Sequence, residues 1–359
     1  MVYIEGYSLL SARGECAESS VNSLRENSYQ PNILDREVKY YKIADIKPMD
    51  YYDIIEKSLK DAIADANLSA DEIANSALFL GTSSAKLPLN ETHIRDEKEL
   101  LKDLYMDEIT EIIAQRVGIK NLRTLISTAC TSSANALIQA KEMIESGMIE
   151  RAIVVGVELY NELSIRGFDS FMLLSRDKIR PFDKNRDGII LGEALSTVIL
   201  GKKKSNFELI GGAIRVDTSS ITAPTPQNLF SVMQEALQNA SIKSKEIEIV
   251  KTHSTATKQN DEAEAKALHL VFDNNLPKVV ALKPYIGHTM GACGTNELVL
   301  LIESMRQGFI PKSLNFAEID SECNLIPSQK ELSVAEGYYM LNYFGFGGNN
   351  SCLIVKHGV

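Results

Sequence analysis

Nowhere in this 359-residue chain does an uncharged apolar run approach the roughly 20 residues that a membrane-spanning helix requires. The opening decapeptide, MVYIEGYSLL, carries Glu5 where a secretory leader has basic residues followed by an apolar core, so a cytoplasmic protein is expected. Cysteines are few and scattered: Cys16, Cys130, Cys293, Cys323 and Cys352 are odd in number and contain no CxxC pair. That arrangement excludes a disulfide framework and a zinc-ribbon type of site, so free thiols and no metal are expected. Positive charge is in deficit, with a formal net charge of −10, which disfavours nucleic acid or an acidic membrane as a partner for the surface as a whole. No Pro/Gly/Ser-rich linker and no low-complexity tract divides the chain. The glycine-rich stretch GFGGNN precedes a strand-like run and lacks the Lys-Ser/Thr of a Walker motif. It reads as a tight turn or a place of close backbone approach rather than a phosphate loop.

What is present is a large apolar fraction, 44%, enough for one big core or for two halves that share one. Short β-branched or apolar runs (SALFLGTSS, RTLIST, RAIVVGVEL, IEIVKTHS, KVVALKP, CLIVKHG) alternate with longer helix-period segments. This alternation predicts an α/β fold with a largely buried sheet. Helices are expected in MDYYDIIEKSLKDAIADANLS, DEITEIIAQRVG, the stretch after Cys130, NLFSVMQEALQNAS, DEAEAKALHLVF and GTNELVLLIESMRQG. In the first, Tyr52, Ile55, Leu59 and Ile63 share a face and Asp50 is placed to cap it. GKKKSN, at 201–206, is where a boundary between halves would fall, and it reads equally as a solvated turn. Sliding the chain by 161 residues lays ANALIQAKEMIESGMI over TNELVLLIESMRQGFI, pairing Asn135 with Asn296, Leu137 with Leu298 and Gly147 with Gly308. Either the fold is two similar halves, or two buried helices with glycine C-caps agree by chance.

Chemistry concentrates at Cys130, which ends an apolar run and precedes Thr131, Ser132 and Ser133. These residues suit a helix N-terminus, where free backbone N–H groups and the helix dipole lower a thiol pKa. A reactive thiolate is the functional reading, and a small buried hydrophobe the structural one. Of the five histidines, His253 (VKTHSTATKQNDEAEA) and His288 (LKPYIGHTMGACG) sit among small polar residues after strand-like runs, where α/β proteins place reactive groups. His269 lies in an apolar run, His93 in a charged segment and His357 at the tail. Gly287, Gly291 and Gly294 surround His288, and Gly345, Gly347 and Gly348 form the late turn.

Taken in order, TACTSS, RPFDKNRDGIILGEA, THSTATKQNDEAEA, KPYIGHTMGACGTNE and NYFGFGGNNSCLIV resemble the elongating β-ketoacyl-acyl-carrier-protein synthases through most of the chain, residues 1–75 being the least distinctive. The resemblance implies a thiolase-type α/β fold, two duplicated βαβαβ-ββ halves (1–200 and 201–359) stacked as five αβαβα layers. It implies a homodimer, an acyl carrier protein as partner, and no cofactor beyond the phosphopantetheine that the carrier brings. The implied reaction is decarboxylative condensation of a malonyl-carrier with a cysteine-bound acyl chain. The family's nucleophile falls on Cys130, its histidines on His253 and His288, its lysine on Lys283 and its glutamate on Glu297. Asp261 and Glu264 match the acidic pair after the first histidine, with Thr255, Thr257 and Gly345 in supporting positions. Phe344 matches the aromatic gate before the glycine-rich turn, whose backbone N–H would complete an oxyanion hole with that of Cys130.

The chain departs from the family pattern in places. Ser254 replaces a glycine beside the first histidine, Asn349 stands where threonine is usual, and the segment FMLLSRDKIRPFD is short. These departures bear on chain length and partner more than on reaction, so a polyketide or polyene assembly line stands beside fatty-acid synthesis. A thiolase would need a second cysteine in the NYFGFGG turn. A chain-length-factor-like partner of a heterodimeric ketosynthase would lose the cysteine that is kept here. Docking of an acidic carrier on an acidic chain needs a local cationic patch, for which Lys202–Lys204 and Arg176, Lys178 and Arg180 are the candidates.

Overall fold

In the computed structural model, residues 1–26, 30–34, 37–47, 50–98, 105–273 and 275–358 are described. Ten strands carry the architecture. The first five are β1 (Tyr3–Ser11), β2 (Ala77–Gly81), β3 (Arg123–Ile126), β4 (Ala152–Glu158) and β5 (Ala194–Gly201). The second five are β6 (Phe207–Val216), β7 (Ile247–Lys251), β8 (Lys278–Val280), β9 (Gly337–Phe344) and β10 (Asn349–His357). They run β8-β7-β9-β10-β6-β1-β5-β4-β2-β3, and the two sets meet only where Tyr3 of β1 pairs with Glu208 of β6. Within each set the order is third, second, fourth, fifth, first. The first three of these are mutually parallel, and the last two turn antiparallel. One topology has been used twice.

The helices repeat with the strands: α1 (Tyr51–Ala66), α2 (Glu108–Val117) and α3 (Ser132–Glu145) are followed by α4 (Pro226–Asn239), α5 (Lys258–Val271) and α6 (Cys293–Arg306). α1 and α2 cover the first set of strands, and α4 packs on β6 and β10 with α5 beside it. α3 and α6 pack on each other between the two sets, completing five layers. Position decides their composition. α1 is amphipathic, with Tyr51, Ile55, Leu59 and Ala62 buried, whereas α6 is buried on every side from Cys293 to Met305. The α1 stripe is centred on Tyr51 rather than Tyr52, which with Ile63 lies at its edge. Asp50 takes the cap position, but its carboxylate accepts from the Lys47 N–H instead of the first helical turn.

The 161-residue correspondence is structural. A 3₁₀ turn, Ala129–Thr131, leads into α3, and its counterpart, Met290–Ala292, leads into α6. Ala129 and Met290 both adopt positive φ, +52° and +41°, as do Gly147 and Gly308 just beyond the two helices. The inner helices approach so closely that a Cβ on Gly294 would overlap the Ala134 backbone. The duplication therefore brings the start of α3, with Cys130, against the start of α6, with His288 just upstream. Among the described residues no helix is long and apolar enough to cross a membrane.

Candidate active site

Cys130 sits in the tight turn between β3 and α3, and side chains fix that turn. Thr128 N–H donates to Ser132 Oγ (2.9 Å), and Thr131 Oγ1 donates to the Thr128 carbonyl (2.7 Å). Asn349 Oδ1 accepts from Asn135 Nδ2 (2.9 Å) and lies 2.8 Å from Thr131 Oγ1, which ties the turn to the first residue of β10. That bracing is the use made of the asparagine at this position.

The two histidines reach the cysteine from the other half. His253 follows β7, and its backbone N–H and that of Ser254 each donate to a Glu264 carboxylate oxygen at 2.8 Å. His288 follows the short helix Lys283–Ile286 and Gly287, whose φ of +74° turns the chain. Its Nε2 lies 2.9 Å from Cys130 Sγ, and the two imidazoles meet edge to face at 5.4 Å between centroids. Phe344 packs on the His253 ring, centroids 5.7 Å apart. Cys130, His253 and His288 line one cavity of about 150 Å³, with Thr255, Thr257 and Phe346 in its wall.

Behind His253 lies a buried charge cluster. Lys283 Nζ is 3.3 Å from His253 Nδ1 and donates to Glu297 Oε1 at 2.7 Å. Lys251 donates to Glu297 Oε2 and, at 2.8 Å, to the Asn342 carbonyl, with its ammonium 3.6 Å above the Tyr343 ring. All three charged side chains are fully buried. Burial, followed by the charge of Lys283, holds both imidazoles well below the usual 6.5, so they are neutral at pH 7. Lys283 is held above its ordinary value by Glu297, even though burial opposes it, and stays an ammonium. An ammonium can only donate, so His253 Nδ1 accepts and the ring hydrogen sits on Nε2.

The sequence expectation of a thiolate at Cys130 is overturned. Burial pushes the thiol up to about 11, against the opposing pull of the Phe346 N–H and the Lys283 charge. The short reach of a helix terminus does not offset full desolvation. At neutral pH the residue is a thiol beside a neutral imidazole. Its alkylation by iodoacetamide should therefore accelerate with rising pH through 9 and 10; a plateau below pH 7 would contradict this protonation state.

Phe344 and Phe346 both line the cavity. Phe344 is the last residue of β9 and pairs with Asn350. The backbone N–H groups whose pull favours the charged form of Cys130 are those of Phe346, in the glycine-rich turn, and of Cys130 itself. Phe346 stacks on Phe168 at the cavity, centroids 5.4 Å apart. Gly345 beside it is closely packed: a Cβ there would lie 3.1 Å from the Asn349 carbonyl oxygen.

The remaining expected residues divide between cavity and scaffold. Thr255 and Thr257 join their hydroxyls at 2.9 Å on the cavity wall. Asp261 accepts from the Phe182 and Ala256 N–H groups, and Glu264 from the loop of His253, so both carboxylates hold backbone rather than face the cavity. Burial pushes Glu264 up to about 7. His269 Nε2 lies 3.1 Å from the Asn324 carbonyl and His357 Nδ1 3.1 Å from that of Ala335; neither they nor His93 line the cavity. Lys251, Cys293, Phe346 and Glu158 were not expected. Glu158, buried at the end of β4, accepts from the N–H groups of Ser83, Ser84 and Gly291 and so couples the two halves beside His288. A lone charge closing an otherwise apolar strand, as in AIVVGVE, was the available signal for Glu158.

Ser254 has φ of +41°, in the left-handed region. Its hydroxyl gains only a 3.5 Å contact with the Thr252 carbonyl. Ser254→Gly should therefore raise stability by about 1 kcal/mol and the melting temperature by about 2 °C. A lower melting temperature would mean that the hydroxyl is worth more than the strain.

Comparison with known proteins agrees with this layout. The family description "Beta-ketoacyl synthase, N-terminal domain" matches residues 47–206 and "Beta-ketoacyl synthase, C-terminal domain" matches 207–317. A putative mitochondrial 3-oxoacyl-[acyl-carrier-protein] synthase of Schizosaccharomyces pombe is 31% identical over 274 residues, 68% of this chain and 63% of that one. A 3-oxoacyl-[acyl-carrier-protein] synthase 2 of Synechocystis sp. is 28% identical over 84% of this chain and 79% of its own length. Among solved structures, a chain of the complex between the ketosynthase ApeO and its chain length factor ApeC from Xenorhabdus doucetiae superimposes with a TM-score of 0.86 at 25% identity, covering 99% of this chain and 98% of that one. With a doubled topology, one cysteine and two histidines lining a single cavity, and both family descriptions matched in order, the chain belongs to the β-ketoacyl synthase family.

Proposed function

We propose that the protein is a β-ketoacyl-acyl-carrier-protein synthase that condenses a malonyl-carrier with an acyl chain held on Cys130, releasing carbon dioxide. The observation that carries this reading is the convergence of Cys130, His253 and His288 on one cavity, with His288 Nε2 in contact with the Cys130 sulfur. In the loading step Cys130 Sγ attacks the acyl thioester while its proton passes to His288 Nε2. The N–H groups of Cys130 and Phe346 stabilise the oxyanion, at roughly 3 kcal/mol per donor. In the second step the His253 Nε2–H and an Nε2–H on His288 hold the malonyl thioester oxygen. Carbon dioxide leaves, and the resulting enolate carbon bonds to the acyl carbon, whose bond to Cys130 Sγ breaks; the sulfur leaves as a thiolate and takes up a proton from solvent water. Lys283 orients His253, and Glu297 holds Lys283. Neither cofactor nor metal enters this scheme.

The carrier is read as an acyl carrier protein, as the names of the relatives state for those proteins. Of the basic candidates, Arg176 pairs with Asp169, and Arg180 with Asp177 and Asp187, whereas Lys178 is exposed. That patch is largely neutralised, which leaves Lys178 as its available cation. A dimer in the cytoplasm is the expected assembly, with a second ketosynthase-like subunit supported as partner by the likeness to the ApeO–ApeC complex. The test is incubation with acyl-carriers and malonyl-carrier, alone and with a second ketosynthase subunit. A 3-ketoacyl-carrier two carbons longer, with one carbon dioxide per product, is expected; acyl transfer without carbon dioxide would reject the reaction.

A further inference from the structure

The two active-site histidines meet different partners at Nδ1. His253 faces the Lys283 ammonium, a group with hydrogens to give and none to accept. His288 Nδ1 faces the sulfur of Cys293 at 3.1 Å, at the first residue of α6, while its Nε2 faces Cys130 Sγ. Cys293 is fully buried, and burial pushes its thiol up to about 12, so it retains its hydrogen. A thiol has one hydrogen and free lone pairs: it can accept from an Nδ1–H or donate to a bare Nδ1. Thr289 Oγ1, 3.5 Å from the same sulfur, and Asn296 Nδ2, 3.1 Å from Thr289 Oγ1, continue the line with a hydroxyl that is equally reversible.

We propose that Cys293 is a positioning residue that lets His288 carry its ring hydrogen on either nitrogen, so that one imidazole is a base toward Cys130 and later an N–H donor to the malonyl thioester. This rests on the reaction proposed above. In loading, the Cys130 sulfur bonds to the acyl carbon and its proton moves to His288 Nε2. The bond from that carbon to the carrier sulfur breaks, and the departing sulfur takes the proton from Nε2 and leaves as a thiol. Throughout, the ring hydrogen on Nδ1 points at the Cys293 sulfur. Once Cys130 is acylated its sulfur carries no proton. The Cys293 S–H then turns to Nδ1, and the hydrogen lost there and gained at Nε2 exchanges with solvent water. A donor-only partner such as the one His253 has would bar the first role, and an acceptor-only partner would bar the second.

The test compares wild type, Cys293→Ala and Cys293→Ser, with nitrogen-15 signals of the His288 ring recorded before and after acylation, and single-turnover rates of Cys130 loading and carbon dioxide release. In wild type and the serine variant, the ring hydrogen is expected on Nδ1 in the free enzyme and on Nε2 in the acyl-enzyme. The serine variant should keep both rates within about threefold, and the alanine variant should lose about tenfold or more, with the His253 signals unchanged in all. The proposal is overturned by a wild-type tautomer that does not change on acylation, by alanine rates equal to wild type, or by serine falling as far as alanine. The wild-type signals decide alone if a variant does not fold. Failure of wild type to release carbon dioxide would reject the proposed reaction instead, and would do so independently of the ring signals of the free enzyme.

Discussion

Replacing His253 with alanine should slow condensation by about 10²–10³-fold while acyl transfer to Cys130 continues within a few-fold of wild type. His253 has its hydrogen fixed on Nε2 by Lys283, so it is a donor in every state of the cycle. A permanent donor stabilises the enolate oxygen that develops as carbon dioxide leaves, and it cannot take a proton from a thiol. His288, by contrast, is in contact with Cys130 Sγ, and in the proposed reaction it would serve both half-reactions. Rapid-quench measurement of acyl-enzyme formation, alongside carbon dioxide release from the preloaded enzyme, separates the two. If loading fell as far as condensation, His253 would be activating the nucleophile and the division of labour would be wrong.

Glu297→Gln should cost about 3–5 kcal/mol of stability, because it strips the counter-charge from two ammonium groups that have no exposed surface. The excess of positive charge already appears in Lys251, which burial pushes down to about 8 despite its pairing with Glu297. Lys251→Met removes one ammonium and leaves a one-to-one pair of Lys283 and Glu297. It should lose no more than about 1–2 kcal/mol. Denaturant midpoints of the two variants measure the contrast. Equal losses would show that Lys251 is held as part of a charge triad rather than tolerated beside a working pair.

The path from sequence to site was clear where chemistry needs small polar or glycine neighbours. TACTSS, THSTAT and IGHTMGACG announce turns at strand ends, and Cys130, His253 and His288 meet there. The 161-residue echo of the inner helices exposed the duplication because α3 and α6 share one environment, buried on nearly every side. β1, β5, β6 and β9 were not singled out. The partner of β1 lies far along the chain, Tyr3 pairing with Gly201, and burial on both faces of β5 erases the alternation that marks a half-exposed strand. Phe344 and Phe346 are indistinguishable by type; only the end of the β9 ladder shows that the first closes a strand and the second lies in the turn beyond it. The thiolate expectation failed because a helix start is legible in sequence and the depth at which it is buried is not. Cys293 and Lys251 looked like ordinary members of an apolar helix and strand, and their importance comes from neighbours in space: His288 in one case, Glu297 in the other.

The central claim is that Cys130 holds the growing chain while the two histidines act on a second thioester in the same cavity. Intact-protein mass spectrometry of wild type and Cys130→Ala, first with an acyl-carrier and then with malonyl-carrier, tests it most directly. The wild type should gain one acyl mass and lose it again as the 3-ketoacyl product forms, and the alanine variant should remain at its own mass throughout. An acyl adduct on the alanine variant, or product formed by a wild type that never carries the acyl mass, would contradict the account.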